Sequence, residues 1–180
     1  MVKGLANKIL RVDLSENKVW IEEPDEMFYR MHLGGSGIIP YYLLKETKPG
    51  IDPLGPENLL IFAMGPMTGL PMPGAARSSV GCKSPLTGGV AKSEVGGHFG
   101  WEFKRAGFDA CIVSGRAEKP VYLWVHDGEC EIKDAGGVWG KTTMEAQDAI
   151  CEELGDTKIK FAAIGPGGEN LVRFACVIND

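Results

Sequence analysis

The sequence predicts an α+β fold of mainly antiparallel sheet with a few helices, and three observations carry that prediction. Strand-like runs come in adjacent pairs joined by short turns, at residues 6–23 and 120–134. Helical patterns stand between such pairs and do not alternate one-to-one with single strands, as βαβ units would require. Two distant segments, LLIFAMGPM with RSSVGCK and KIKFAAIGPGG with VRFACVI, share the order strand, Gly-Pro, loop, strand. Such an echo is what two related halves about a pseudo-two-fold axis would leave.

Taken in order, ANKILRVDLSENKVWIEE alternates as Ile9/Arg11/Asp13 against Leu10/Val12/Leu14, turns at Ser-Glu-Asn and alternates again. Asp25 can cap a short helix through Met31 that Gly34-Gly35 would end, and Ser36 can cap a second one carrying Ile38, Ile39, Tyr42 and Leu43. The Pro/Gly cluster at 49–56 stops regular structure. Residues 59–67 read as a buried strand entering a Gly-Pro turn, and 77–83 and 89–93 as strands joined by SPLTG. A helix with Phe99 and Phe103 at i,i+4 runs from Gly97 to Ala106, with Gly107 as its cap. Three strand-like runs follow at 109–115, 120–127 and 129–134, the last two meeting at Asp127-Gly128. Thr142 or Thr143 caps a helix to Leu154, which Gly155 stops. Residues 158–165 and 171–178 read as two closing strands around the turn GPGGEN.

With 180 residues, 44% of them hydrophobic, the chain reads as one globular domain over 1–180 that needs no disulfide to hold a core. Its net charge of −5 and scattered cations exclude a nucleic-acid footprint. No apolar run approaches the ~20 residues that span a bilayer. No signal-peptide core is apparent, so the expected location is cytoplasmic. The five cysteines stand too far apart for the C-x₂-C spacing of a zinc or cluster loop, and read as small core hydrophobes in a reducing compartment. Generic catalytic templates, including the nucleophile elbow and the phosphate loop, are absent.

Chemistry concentrates in residues 73–108, PGAARSSVGCKSPLTGGVAKSEVGGHFGWEFKRAGF, where isolated cations stand among glycines. Bare N–H groups and cations of this kind can approach an anion closely, since glycine has no Cβ in the way. The same residues also fit plain tight turns.

The ordered set RVDLSENKV, GGSGIIPYYLLKE, DPLGPENLLIFAMGPMTGLPMPGAARSSVGCKSPLTGG, GGHFGWEFKRAGFDACIVSGRAEKPVYLWV, DAGGVWGK and AAIGPGGENLVRFACVIND is more specific. It resembles, along essentially the whole chain, the N-terminal domain of the aldehyde:ferredoxin oxidoreductases. The resemblance implies an α+β platform of two related sheet halves beneath a tungsten, or in some relatives molybdenum, bis-pyranopterin. It implies that Arg77 contacts the cofactor and that main-chain groups of Gly96 and Gly97 approach a pterin. At Glu94 the family commonly has Asn, whose main-chain carbonyl helps hold a magnesium ion bridging the pterin phosphates. A carboxylate there would either repel phosphate or add a ligand.

The family's [4Fe–4S] cysteines, its acid/base residues and a Gly/Arg-rich pterin loop lie beyond the matching segment, so no catalytic residue is expected in this chain. The resemblance also implies ferredoxin as electron acceptor, the remaining domains or a partner subunit, and a homodimer. Two functions are thereby expected. One is the tungstopterin platform of an aldehyde-oxidising enzyme, present as a truncated domain or split subunit. The other is a non-catalytic module for assembly or cofactor carriage.

Overall fold

In a computed structural model, residues 4–179 are described; Met1–Lys3 and Asp180, the outer ends of the 1–180 domain span, lie outside the described residues. Local sequence chemistry accounts for most element boundaries. Strands β1 (Ile9–Asp13) and β2 (Lys18–Glu22) form the expected hairpin, with Asp13 Oδ1 accepting from the Ser15 and Glu16 N–H groups in the turn. Asp25 caps α1 (Glu26–His32) by accepting from Phe28 N–H at 2.8 Å.

Ser36 does not cap the next helix. The chain makes a 3₁₀ turn at Gly35–Gly37, with no side-chain cap, before α2 (Ile38–Glu46). The reason is backbone proximity: Gly34 and Gly35 have φ of +106° and +52°, and a Cβ on Gly37 would lie 2.1 Å from His32 O. Only bare glycine backbone can fold back this tightly on the end of α1.

Strands β3 (Leu60–Met64), β4 (Ser78–Lys83) and β5 (Val90–Val95) then precede α3 (Phe99–Arg105) and β6 (Ala110–Ser114). The hairpin β7 (Val121–His126) and β8 (Glu129–Asp134) turns at Asp127-Gly128, whose φ values are +45° and +85°. Helix α4 (Thr143–Leu154) starts with a full Thr142/Glu145 capping box and stops at left-handed Gly155.

The closing segments differ from expectation. Residues 158–165 and 171–178 contribute only two-residue strands, β9 (Ala162–Ala163) and β10 (Ile178–Asn179), and a short helix α5 (Pro166–Glu169) replaces the turn. Among the described residues β9 and β10 pair only with each other, so no neighbouring ladder extends them, and Phe174 is left 78% exposed.

The main sheet has the order β2-β1-β6-β3-β4-β5, with β1–β6 as the parallel pair and the other pairs antiparallel. The α+β expectation is met. Its two faces bury different sets. Helices α1 and α2 bring Phe28, Tyr29, Ile38, Ile39, Tyr42 and Leu43 onto Ile9, Ile61, Ala63, Ala110 and Ile112. Each such large apolar side chain contributes about 1.5–3 kcal/mol. Gly81 lets α2 lie this close, because a Cβ there would meet Ile39 Cγ2 at 2.5 Å. The opposite face packs Leu10, Val12, Met64 and Cys111 against Phe103, Phe108 and the inner side of the β7–β8 hairpin.

Several acids that ionise at alkaline pH are buried in these layers. Burial, then Asp109, pushes the Tyr29 hydroxyl up; burial, then the hydrogen bond to Glu22, does the same for Tyr42. Burial raises the Cys111 thiol and, with Glu131 adding to it, raises Cys130 to about 11. Folded-state pKa values above the unfolded ones mean that only the unfolded chain releases these protons first. Stability is therefore fully present below the unfolded value of 9.0 for Cys, and is lost as pH rises from there through about 11. The urea midpoint is expected to fall continuously over that window, and less steeply in Tyr42→Phe with Cys130→Ala. An unchanged midpoint between pH 9 and 11 would contradict the burial of these groups.

Candidate functional site

Strand register converts the scattered candidates into one place. Ser78 pairs with Val95 and Ser79 with Glu94, so one further rung sets Arg77, just before β4, beside Gly96, just after β5. The approach to Arg77 is fixed from behind. Thr68 Oγ1 accepts from Gly65 N–H at 2.9 Å and donates to Arg77 O at 2.8 Å, while Gly69 N–H donates to Ala75 O at 2.9 Å. The small-residue loop is thus closed on itself, and the Arg77 side chain stands exposed at its end.

The glycines here divide by cause. Gly100 is needed for packing, since a Cβ on it would sit 2.8 Å from Ser78 Cβ where α3 crosses β4. Gly97 has φ +99° and is needed for the turn. Gly96 has neither constraint: its φ is not left-handed and a Cβ would meet nothing within 4 Å. Nothing in the described residues requires glycine there. What its absent side chain leaves is open access to the main chain.

Glu94 is not a bare carboxylate. Lys92 Nζ donates to Glu94 Oε1 at 2.7 Å, and that bond, with Lys92's charge and a smaller contribution from Arg77, holds the Glu94 carboxyl below its usual range. Glu94 is thereby paired with its strand neighbour. Lys92 and Glu94 share one face of β5 at i,i+2, the spacing that brings their side chains together.

The other cations of the stretch serve the scaffold. Lys83 Nζ donates to Ile51 O at 2.6 Å, and Lys104 Nζ reaches both Gly4 O and Gly65 O at 2.5 Å. Arg105 pairs with Glu102 at 3.2 Å and lies over Trp101. His98 precedes α3 without a side-chain cap and lies 5.5 Å from the Trp101 ring. A contact that sequence reading missed comes from the far end of the chain: Asn179 Nδ2 donates to Gly96 O at 2.9 Å.

The site is an open shelf at the end of a sheet. Two hollows in the surface lie away from it, one among Asp13, Glu46 and Ser114 and one beside His32 and Tyr41. Among the described residues no three His, Cys, Asp or Glu side chains gather in a metal-binding cluster. A cation, accessible main chain and a carboxylate paired with Lys92 can receive an anionic group such as a phosphate ester.

A sequence profile described as the N-terminal domain of aldehyde ferredoxin oxidoreductase matches residues 9–180. The chain belongs to the aldehyde ferredoxin oxidoreductase family. It is 49% identical over 177 residues to a tungsten-containing aldehyde ferredoxin oxidoreductase of Pyrococcus furiosus, covering 98% of this chain and 29% of that protein. An aliphatic sulfonate oxidoreductase WOR-like subunit from the same organism is 38% identical over 186 residues, covering 95% and 30%. Among solved structures, the active-site complex BamBC of benzoyl-coenzyme A reductase with 1,5-dienoyl-CoA matches with a TM-score of 0.96 at 35% identity, over 99% of this chain and 27% of that one. This family domain therefore spans under a third of the relatives it matches. Among the described residues no helix is long and apolar enough to cross a membrane.

Proposed function

We propose that residues 1–180 form the tungstopterin-binding platform domain of an oxidoreductase that oxidises aldehydes to carboxylic acids with ferredoxin as acceptor. The observation that carries the reading is the convergence of Arg77 and Gly96 on one rung beyond the β4–β5 ladder, within a domain that matches the family almost end to end. The donor set fits the group: a guanidinium can hold phosphate with two parallel bonds, and Gly96 admits a flat ring system against bare backbone.

In this reading Arg77 binds and orients a pterin phosphate, Gly96 and Gly97 receive the pterin edge, and the Glu94 main-chain carbonyl contributes to a magnesium site. The metal–pterin centre, tungsten here and molybdenum in some relatives, supplies the two-electron oxidation chemistry when bound. The [4Fe–4S] cluster, acid/base groups and substrate pocket are assigned to the remaining polypeptide, together with the homodimer contacts and a cytoplasmic location. Relatives whose names specify aldehyde, sulfonate and benzoyl-coenzyme A chemistry share this domain. That sharing supports a cofactor platform and assigns substrate choice to other parts of the enzyme.

Arg77→Ala in the full-length enzyme is expected to weaken cofactor retention about ten- to a hundredfold, the loss of charge-assisted hydrogen bonds. Arg77→Lys, a point charge without the fork, falls between. Pterin released by acid oxidation and tungsten per polypeptide measure it. Full pterin occupancy in Arg77→Ala would remove Arg77 from the site.

A further inference from the structure

Asn179 is the last described residue of β10, which pairs over only two rungs with β9. Its side chain leaves that small sheet and donates to Gly96 O at 2.9 Å, joining residues 83 positions apart. The acceptor is the carbonyl of the one glycine in the shelf that neither φ nor a neighbouring atom explains.

Gly96 O and Gly97 N–H belong to the same peptide plane, and a trans plane sets them on opposite sides. Among the described residues, none of the backbone–backbone hydrogen bonds of the turns and loops uses the Gly97 N–H. A bond to the carbonyl fixes the plane's rotation and polarises the N–H at its other end. Gly97 sits at φ +99°, in a region where glycine moves freely, so a bond to the Gly96 carbonyl limits the rotation of this plane.

From this geometry we infer that Asn179 is a positioning residue. Its amide fixes the Gly96–Gly97 peptide so that the Gly97 N–H is presented, next to Arg77, to an anionic group of the bound cofactor. The inference rests on the platform reading above. It adds that the C-terminal β9–β10 element sets the geometry of a shelf built from β4 and β5.

The test uses the full-length enzyme. Asn179→Asp keeps the shape but replaces the donor with an oxygen that repels Gly96 O; Asn179→Gln keeps the amide on a longer arm. In Asn179→Asp, amide exchange across residues 95–99 is expected to run about three- to tenfold faster, the loss of one hydrogen bond. Exchange in α1 should be unchanged, pterin and tungsten content should fall several-fold, and Asn179→Gln should recover part of both. Unchanged exchange at 95–99 would overturn the clamp. Faster exchange with full cofactor content would show a purely structural bond and overturn the positioning role. Failure of the platform reading shows separately, as absence of pterin from the unmutated enzyme, and removes the positioning role with it.

Discussion

Asp109→Ala is expected to cost about 3–5 kcal/mol, because it leaves one buried and two half-buried donors without their acceptor, facing a cavity. Asp109 is fully buried and accepts from Ala6 N–H at 3.0 Å, Asn7 N–H at 2.7 Å and Tyr29 O–H at 3.1 Å. Its own backbone joins Lys8 and Met64, so one residue ties the N-terminal segment, the edge of α1 and the centre of the sheet. Two of the donors are main-chain groups preceding β1, and Asn7 donates from a backbone at φ +57°. Tyr29→Phe removes a single donor and is expected to cost about 1 kcal/mol. Urea denaturation gives both values, and amide exchange at Ala6 and Asn7 localises the effect. A loss for Asp109→Ala no larger than for Tyr29→Phe would show that the carboxylate is not the tie.

Asp109 also shows where reading the sequence stops. The run DACIVSG was legible as a strand, but the partner of its first residue lies 102 or 103 positions away, and no local pattern encodes that distance. The elements read correctly are those with local causes: Asp25 as a cap, Thr142 as one of two candidate caps, Gly155 as a stop, Asp127-Gly128 as a turn. The closing strands failed for the opposite reason. Their apolar alternation is genuine, yet a strand exists only where a neighbouring ladder receives its backbone groups, and among the described residues β9 and β10 have only each other. Arg77 and Gly96–Gly97 are candidates through the family resemblance alone. Their adjacency follows from the β4–β5 register, and the contact with Asn179 could not be read from any spacing.

Arg11→Ala is expected to cost about 2–4 kcal/mol, through a network the alternation pattern concealed. Period-two reading places Arg11 on a polar face with Asp13, but β1 lies inside the sheet between β2 and β6, and Ile9 through Val12 are all buried. The face that Arg11 shares with Ile9 is the one covered by α2. Burial works against its charge, but hydrogen bonds to Glu46, with the charges of Glu46 and Glu22, outweigh it and hold the guanidinium ionised. The fork meets Glu46 Oε1 and Oε2 at 3.0 and 2.6 Å and Glu22 Oε2 at 3.2 Å, between the Trp20 and Tyr42 rings. Truncation would strand two carboxylates, one of which also accepts from Tyr42 O–H at 2.7 Å. The estimate is held below that for a fully buried pair because the Glu22 and Glu46 side chains remain 33% and 26% exposed. Arg11→Lys should fall between, lacking the bidentate fork. Arg11→Met with Glu46→Leu should recover most of the loss, since apolar groups of similar volume leave less charge unpaired. Arg30→Ala is the control: its i,i+4 pair with Glu26 is exposed on both sides and contributes little to stability. If denaturation midpoints put Arg11→Ala within error of Arg30→Ala, the network does not hold α2 to the sheet.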